Sequence, residues 1–153
     1  MSTSPLVLLD FDGVVAPYDD PRSIPNTWPD WCLSGEGHWL SHSMLDQLGQ
    51  IIWLSTQGAK PNRWCSRDWA VASIPYDCDE WPKLAAARTQ VTPGCLVIWA
   101  DDELDRRRGR DDIDDWVAHT SVQLLRLVPN KFNGLLQTDI DAARHWLVET
   151  SSH

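Results

Sequence analysis

A chain of 153 residues, 42% hydrophobic and 23% charged, is long enough to bury one real core, and its composition excludes a disordered or fibrous chain. A formal net charge of −9 argues against broad, nonspecific attraction to nucleic acid, which needs a basic face that releases counterions. The longest apolar runs, Leu6 to Leu9 and Cys95 to Ala100, fall far short of the roughly 20 residues a membrane span needs, and Met1 to Pro5 lacks the pattern of a secretory signal.

In chain order, Leu6 to Leu9 reads as a strand buried on both faces, ended by Asp10 and Gly13. Residues from about 16 to 40 form the one long irregular stretch, rich in Pro, Gly and Ser and carrying Trp28, Trp31 and Trp39, and are expected to make a flap-like insertion. Ser41 to Leu48 is a helix candidate, Ile51 to Leu54 a second buried strand ended by Ser55, Thr56 and Gly58, and Asn62 to Ala70 a second helix candidate. Val71 to Ile74 is a weaker strand; Pro82 to Thr89 a helix with proline in its first turn; Cys95 to Ala100 a strand ended by Asp101 and Asp102. Asp111 to Ala118 reads as a helix, Val122 to Val128 as a weaker strand, and Thr138 to Glu149 as a last helix capped by Thr138.

Strands alternating with helices imply parallel strands joined by crossovers. The fold expected is therefore α/β, a Rossmann-like three-layer sandwich around a central parallel sheet of about five strands, in a single domain over residues 1–153. Ligands bind such sheets beyond the carboxyl ends of the strands, where Asp10, Ser55 and Asp101 all fall.

The remaining signals read as structure. The four cysteines, Cys32, Cys65, Cys78 and Cys95, include no CxxC pair and are expected to be reduced thiols in a cytoplasmic protein. Most of the ten tryptophans supply core area. Arg106, Arg107, Arg108 and Arg110 read as a solvated loop or helix end, with a phosphate-contacting rim as the alternative, and the five histidines are too scattered to form a catalytic arrangement.

Chemistry concentrates in four segments. Leu8-Leu9-Asp10-Phe11-Asp12-Gly13-Val14-Val15 places two carboxylates two residues apart at a strand end, an arrangement that invites a cation. The second is Ile51-Ile52-Trp53-Leu54-Ser55-Thr56, the third Trp81-Pro82-Lys83, and the fourth Val97-Ile98-Trp99-Ala100-Asp101-Asp102-Glu103-Leu104-Asp105. In order and content these resemble the motifs of the haloacid-dehalogenase superfamily, whose first motif is an apolar strand followed by DxDGT or DxDGV. The likeness spans most of the chain, and Trp99 to Glu103, Pro129 and Gly134-Leu135 are similar to small proteins of that superfamily, lacking a large cap, from actinobacteria and their phages.

The resemblance implies a haloacid-dehalogenase-like fold and a phosphatase that uses Mg²⁺ and an aspartyl-phosphate intermediate. Asp10 would be the nucleophile and Asp12 the general acid and base, its backbone carbonyl also facing the metal. Ser55, with Thr56 as the alternative, would bind a phosphoryl oxygen. Lys83 would neutralise phosphoryl charge, with Lys60 and Arg63 as alternatives. Asp101 would be a metal ligand, with Asp102 or Asp105 as the second acid of its motif. The partner implied is a phosphorylated small molecule or macromolecular end; no membrane is implied. Other classes stay open: a catalytically silent binding module of the same fold, a phosphatase specific for nucleic-acid ends, and a phosphoacceptor signalling domain, in which the second acid of DxDG has no task.

Overall fold

The structure, a computed structural model, describes residues 4–16, 42–65 and 67–151, the side chains at 42, 43, 107 and 108 excepted. The flap-like segment expected at about residues 16–40 lies almost wholly outside them, as do Trp28, Trp31, Trp39 and Cys32. Ten elements follow in order: β1 (Leu6–Leu9), α1 (His42–Asp46), β2 (Gln50–Trp53), α2 (Lys60–Trp64), β3 (Ala70–Val71), α3 (Pro82–Gln90), β4 (Leu96–Ala100), α4 (Arg107–His119), β5 (Gln123–Leu127) and α5 (Gln137–Ser151). The strands form one parallel sheet in the order β3-β2-β1-β4-β5, flanked by helices as a Rossmann-like α/β sandwich.

The near-continuous apolar runs are explained by burial on both faces, since successive side chains alternate across the sheet. Val7, Leu9, Ile51, Trp53, Ile98 and Ala100 join Leu45 of α1, Leu48 just after it, and Ile140 and Ala143 of α5 in one core layer. Leu6, Leu8, Ile52, Leu54, Val97 and Trp99 join Leu84, Ala86 and Ala87 of α3 and Ile113 and Trp116 of α4 in the other. Trp53 and Trp99 are fully buried, so these tryptophans are core, as their abundance suggests. Among the described residues no helix is long and apolar enough to cross a membrane, and no disulfide joins Cys65, Cys78 or Cys95.

Several element boundaries differ from those expected. The helix expected over Asn62 to Ala70 ends at Trp64. Asn62 takes over there: its Oδ1 accepts from Trp53 Nε1 (2.8 Å) and the Trp69 amide (3.0 Å), while its Nδ2 donates to the Trp69 carbonyl (2.8 Å). That exchange holds Trp69 where Ala70–Val71 can pair with β2, which replaces the longer strand expected to start at Val71. The fourth helix begins at Arg107, four residues before the Asp111 expected. Thr138 does not cap the last helix, which starts at Gln137; Asp139 instead accepts from the Leu136 amide at 2.8 Å, as an acid in a first turn can.

The chain order reverses between β1 and β4, since β1 is followed in space by β2 on one side and by β4 on the other. A crevice opens at the carboxyl ends of strands at such a point. Register places the chemistry there: Leu9 lies opposite both Trp53 and Ala100, so the next residues, Asp10, Leu54 and Asp101, leave the sheet side by side.

Candidate active site

The backbone fixes the three strand ends before any side chain is considered. The Asp10 amide donates to the Ala100 carbonyl (3.0 Å), the Leu54 amide to the Leu9 carbonyl (2.9 Å) and the Asp101 amide to the Leu127 carbonyl (3.1 Å). After Asp10 the chain turns sharply, the amides of Val14, Val15 and Ala16 all donating to the Phe11 carbonyl. Gly13 makes the turn possible: its φ is +78°, and a Cβ there would lie 3.0 Å from the Asp102 carboxyl carbon.

The four buried polar or charged residues among those described are Asp10 (5% exposed), Ser55 (3%), Lys83 (6%) and Asp101 (0%). Lys83, in the first turn of α3, sends its ammonium between two carboxylates, 3.1 Å from Asp10 Oδ2 and 2.6 Å from Asp101 Oδ2. The other oxygens accept from backbone: Asp10 Oδ1 from the Phe11 amide and Asp101 Oδ1 from the Glu103 amide, both at 2.8 Å. Each of the two carboxylates therefore has both oxygens held. Carboxylate oxygens of Asp10, Asp101 and Asp102 lie within 4.8 Å of one another.

Electrostatics in this cluster is unbalanced. Burial, then the charge of Asp101, pushes the Asp10 carboxyl up to about 8 against the opposing pull of Lys83 and the Phe11 amide. Burial likewise raises Asp101, with Lys83 opposing, and burial followed by the Asp101 charge raises Asp102. Burial alone would lower Lys83, but the charges of Asp10 and Asp101 outweigh it and its net shift is upward. With all three carboxylates ionised, the one ammonium would leave two negative charges uncompensated, which is why burial and mutual repulsion raise them. A divalent, oxygen-seeking cation such as Mg²⁺ fits both the donor set and that uncompensated charge.

Of the residues singled out in the sequence, Asp10, Lys83, Asp101 and Asp102 converge. Ser55 is buried at the end of β2, its Oγ accepting from the Gln57 amide at 3.1 Å, whereas Thr56 is exposed. Lys60, Arg63 and Asp105 are exposed and stand outside the cluster. The Asp12 carboxylate is not part of the triad of converging carboxylates; Asp12 Oδ2 accepts instead from Gln57 Nε2 at 2.8 Å. Gln57 is not among the candidates the sequence motifs mark, which at this strand end are the hydroxyls of Ser55 and Thr56. Its contact with Asp12 spans 45 positions, so no local sequence signal marks it. Arg106 and Arg110 pair with Glu103 and Asp111 on the surface, in keeping with a solvated helix end.

Neither the models of known protein families nor the curated proteins and solved structures include a match to this chain.

Proposed function

We propose that this protein is a magnesium-dependent phosphomonoesterase of the haloacid-dehalogenase type that works through an aspartyl-phosphate on Asp10. The observation that carries the reading is the buried Asp10–Lys83–Asp101 cluster, with Asp102 beside it, at the reversal point of the sheet. Burying two carboxylates on one lysine costs several kcal/mol per ion, and a merely structural role would be served as well by apolar side chains.

In this reading Asp10, Asp101 and Asp102 hold the cation, with the Asp12 carbonyl as a further donor. The bound ion supplies positive charge that keeps Asp10 ionised and offsets the charge of the phosphate. An oxygen of Asp10 forms a bond to phosphorus as the ester P–O bond breaks, and the leaving oxygen takes the proton of Asp12. Water then attacks the phosphoryl group, giving its proton back to Asp12, and the bond to Asp10 breaks to release inorganic phosphate. General acid-base help of this kind contributes about 10² to 10⁴-fold. Ser55 and Lys83 bind phosphoryl oxygens, and Gln57 aims the Asp12 carboxyl.

The test is magnesium-dependent hydrolysis across a panel of phosphate monoesters, including nucleotides and end-phosphorylated oligonucleotides, by native protein and Asp10→Asn. The expected result is turnover in the native protein and neither turnover nor acid-stable phosphoenzyme in the variant. Near-normal activity of Asp10→Asn rules out Asp10 as nucleophile. Stable phosphorylation of the native protein without turnover would instead mark a phosphoacceptor domain.

A further inference from the structure

A cavity of about 210 Å³ opens between the first turns of α3 and α4, lined by Trp81, Pro82, Glu103, Arg106 and Gly109. Two of its walls are continuous with the chemistry. Pro82 immediately precedes Lys83, and the Glu103 amide is the donor to Asp101 Oδ1. The cavity wall is thus one residue along the chain from Lys83 and shares the Glu103 backbone that holds Asp101.

The aromatic wall is fixed in advance. Trp81 stacks on Trp99, with centroids 5.5 Å apart and planes 10° from parallel, and Trp99 is itself fully buried and edge-on to Trp116 at 6.4 Å. The α4 backbone packs against the Trp81 ring at Gly109, where a Cβ would already lie 3.3 Å from it. The glycine that breaks the helical sequence pattern of Arg107 to Arg110 thus brings the helix close to Trp81. At the rim, Glu103 and Arg106 form an exposed ion pair at 3.4 Å that offers one acceptor and one donor. Ligand sites combine an apolar, preformed wall with a few polar groups in this way. The volume falls below the roughly 300 Å³ at which such sites begin to enclose a whole drug-sized ligand, and suits one flat ring.

We propose that this cavity is the leaving-group subsite and that the substrate is a phosphomonoester whose alcohol carries a planar ring, aryl or nucleobase, seated against Trp81. The inference rests on the phosphohydrolase reading and supplies its substrate class.

Esters matched in the oxygen that leaves separate the ring from leaving-group reactivity. Native protein with Mg²⁺ is given a nucleoside monophosphate against ribose phosphate, and benzyl phosphate against ethyl phosphate. At least one ring ester should exceed its partner in kcat/KM by about tenfold or more, the scale on which apolar pockets discriminate. Whichever pair shows the larger ratio identifies the ring as nucleobase or aryl. In Trp81→Ala that ratio should collapse toward one through a rise in KM for the ring ester, and in Trp81→Phe, which keeps a ring on Trp99, most of it should return. Equal kcat/KM within both pairs for native protein overturns the subsite while leaving the phosphohydrolase reading standing, and this comparison does not depend on any variant folding. Preference unchanged in a folded Trp81→Ala overturns it as well. Hydrolysis of no ester at all removes the phosphohydrolase reading and the subsite with it.

Discussion

Replacing Lys83 by Met tests the electrostatic account of the cluster most directly. The ammonium lies 3.1 Å from Asp10 and 2.6 Å from Asp101. At an effective dielectric of about 20 these contacts contribute gross attractions of about 5 and 6 kcal/mol. The variant no longer bears the burial cost of the ammonium, itself several kcal/mol, which leaves a net loss of about 3–5 kcal/mol when one partner of a buried pair is removed. That is a large fraction of the roughly 5–15 kcal/mol that holds a domain folded. Chemical denaturation without magnesium, at about pH 8 and about pH 5, reads it. The deficit should be larger at the higher pH, because the carboxylates left behind can protonate at the lower one. Adding Asp101→Asn to Lys83→Met should recover part of the loss, a coupling that independent sites lack. A deficit below about 1 kcal/mol at both pH values, with additive variants, would refute the claim that Lys83 holds the carboxylates together.

Three further outcomes follow from the same geometry. The Asp10 pKa is raised from 3.8 to about 8 in the folded chain, so the native state binds this proton more tightly than the unfolded state; without magnesium, its contribution to stability is full below about pH 4 and is lost as pH rises through about 8. Subtracting the stability of Asp10→Asn isolates that slope, and a flat difference across the interval would contradict the assignment. Gln57→Leu removes the 2.8 Å hydrogen bond to Asp12 and should lower kcat by about 10- to 100-fold with little change in KM, as a misaimed catalytic group does; a loss confined to KM would place Gln57 in substrate binding instead. Gly49 has φ +154° and its Cβ would fall 2.2 Å from the Pro5 carbonyl oxygen, so Gly49→Ala should cost at least about 1–3 kcal/mol in a denaturant titration, and a neutral result would mean that the entry to β2 can shift freely.

How much of this was legible in the sequence depends on whether the signal was local. The runs Leu6–Leu9 and Leu96–Ala100 declare themselves because a strand buried on both faces has no polar position to interrupt it. Helix boundaries were less legible because distant contacts set them. Asn62 reads as an ordinary helical residue until Trp53 and Trp69 both claim its amide, and the helix then stops at Trp64. The fourth helix was expected from Asp111, yet it runs through Gly109, whose missing Cβ is what admits the Trp81 ring.

The same division runs through the candidate site. Asp10 and Asp101 were visible because each ends an apolar run, and the sheet register then brings them together without further instruction. Lys83 was the least certain from sequence, since a lysine in a first helical turn is ordinarily solvated; only the crossover of α3 over the sheet carries its side chain to two acids on other elements. Whether Asp102 or Asp105 accompanied Asp101 was likewise undecidable from spacing. The turn at Gly13 separates them: it lies close enough to Asp102 that a Cβ would touch the carboxyl group, whereas Asp105 projects into solvent. Gln57 had no local signature at all. An amide four residues past the end of β2 becomes chemically specific only when the neighbouring strand delivers Asp12 to it, so its contact follows from the parallel pairing of β1 with β2.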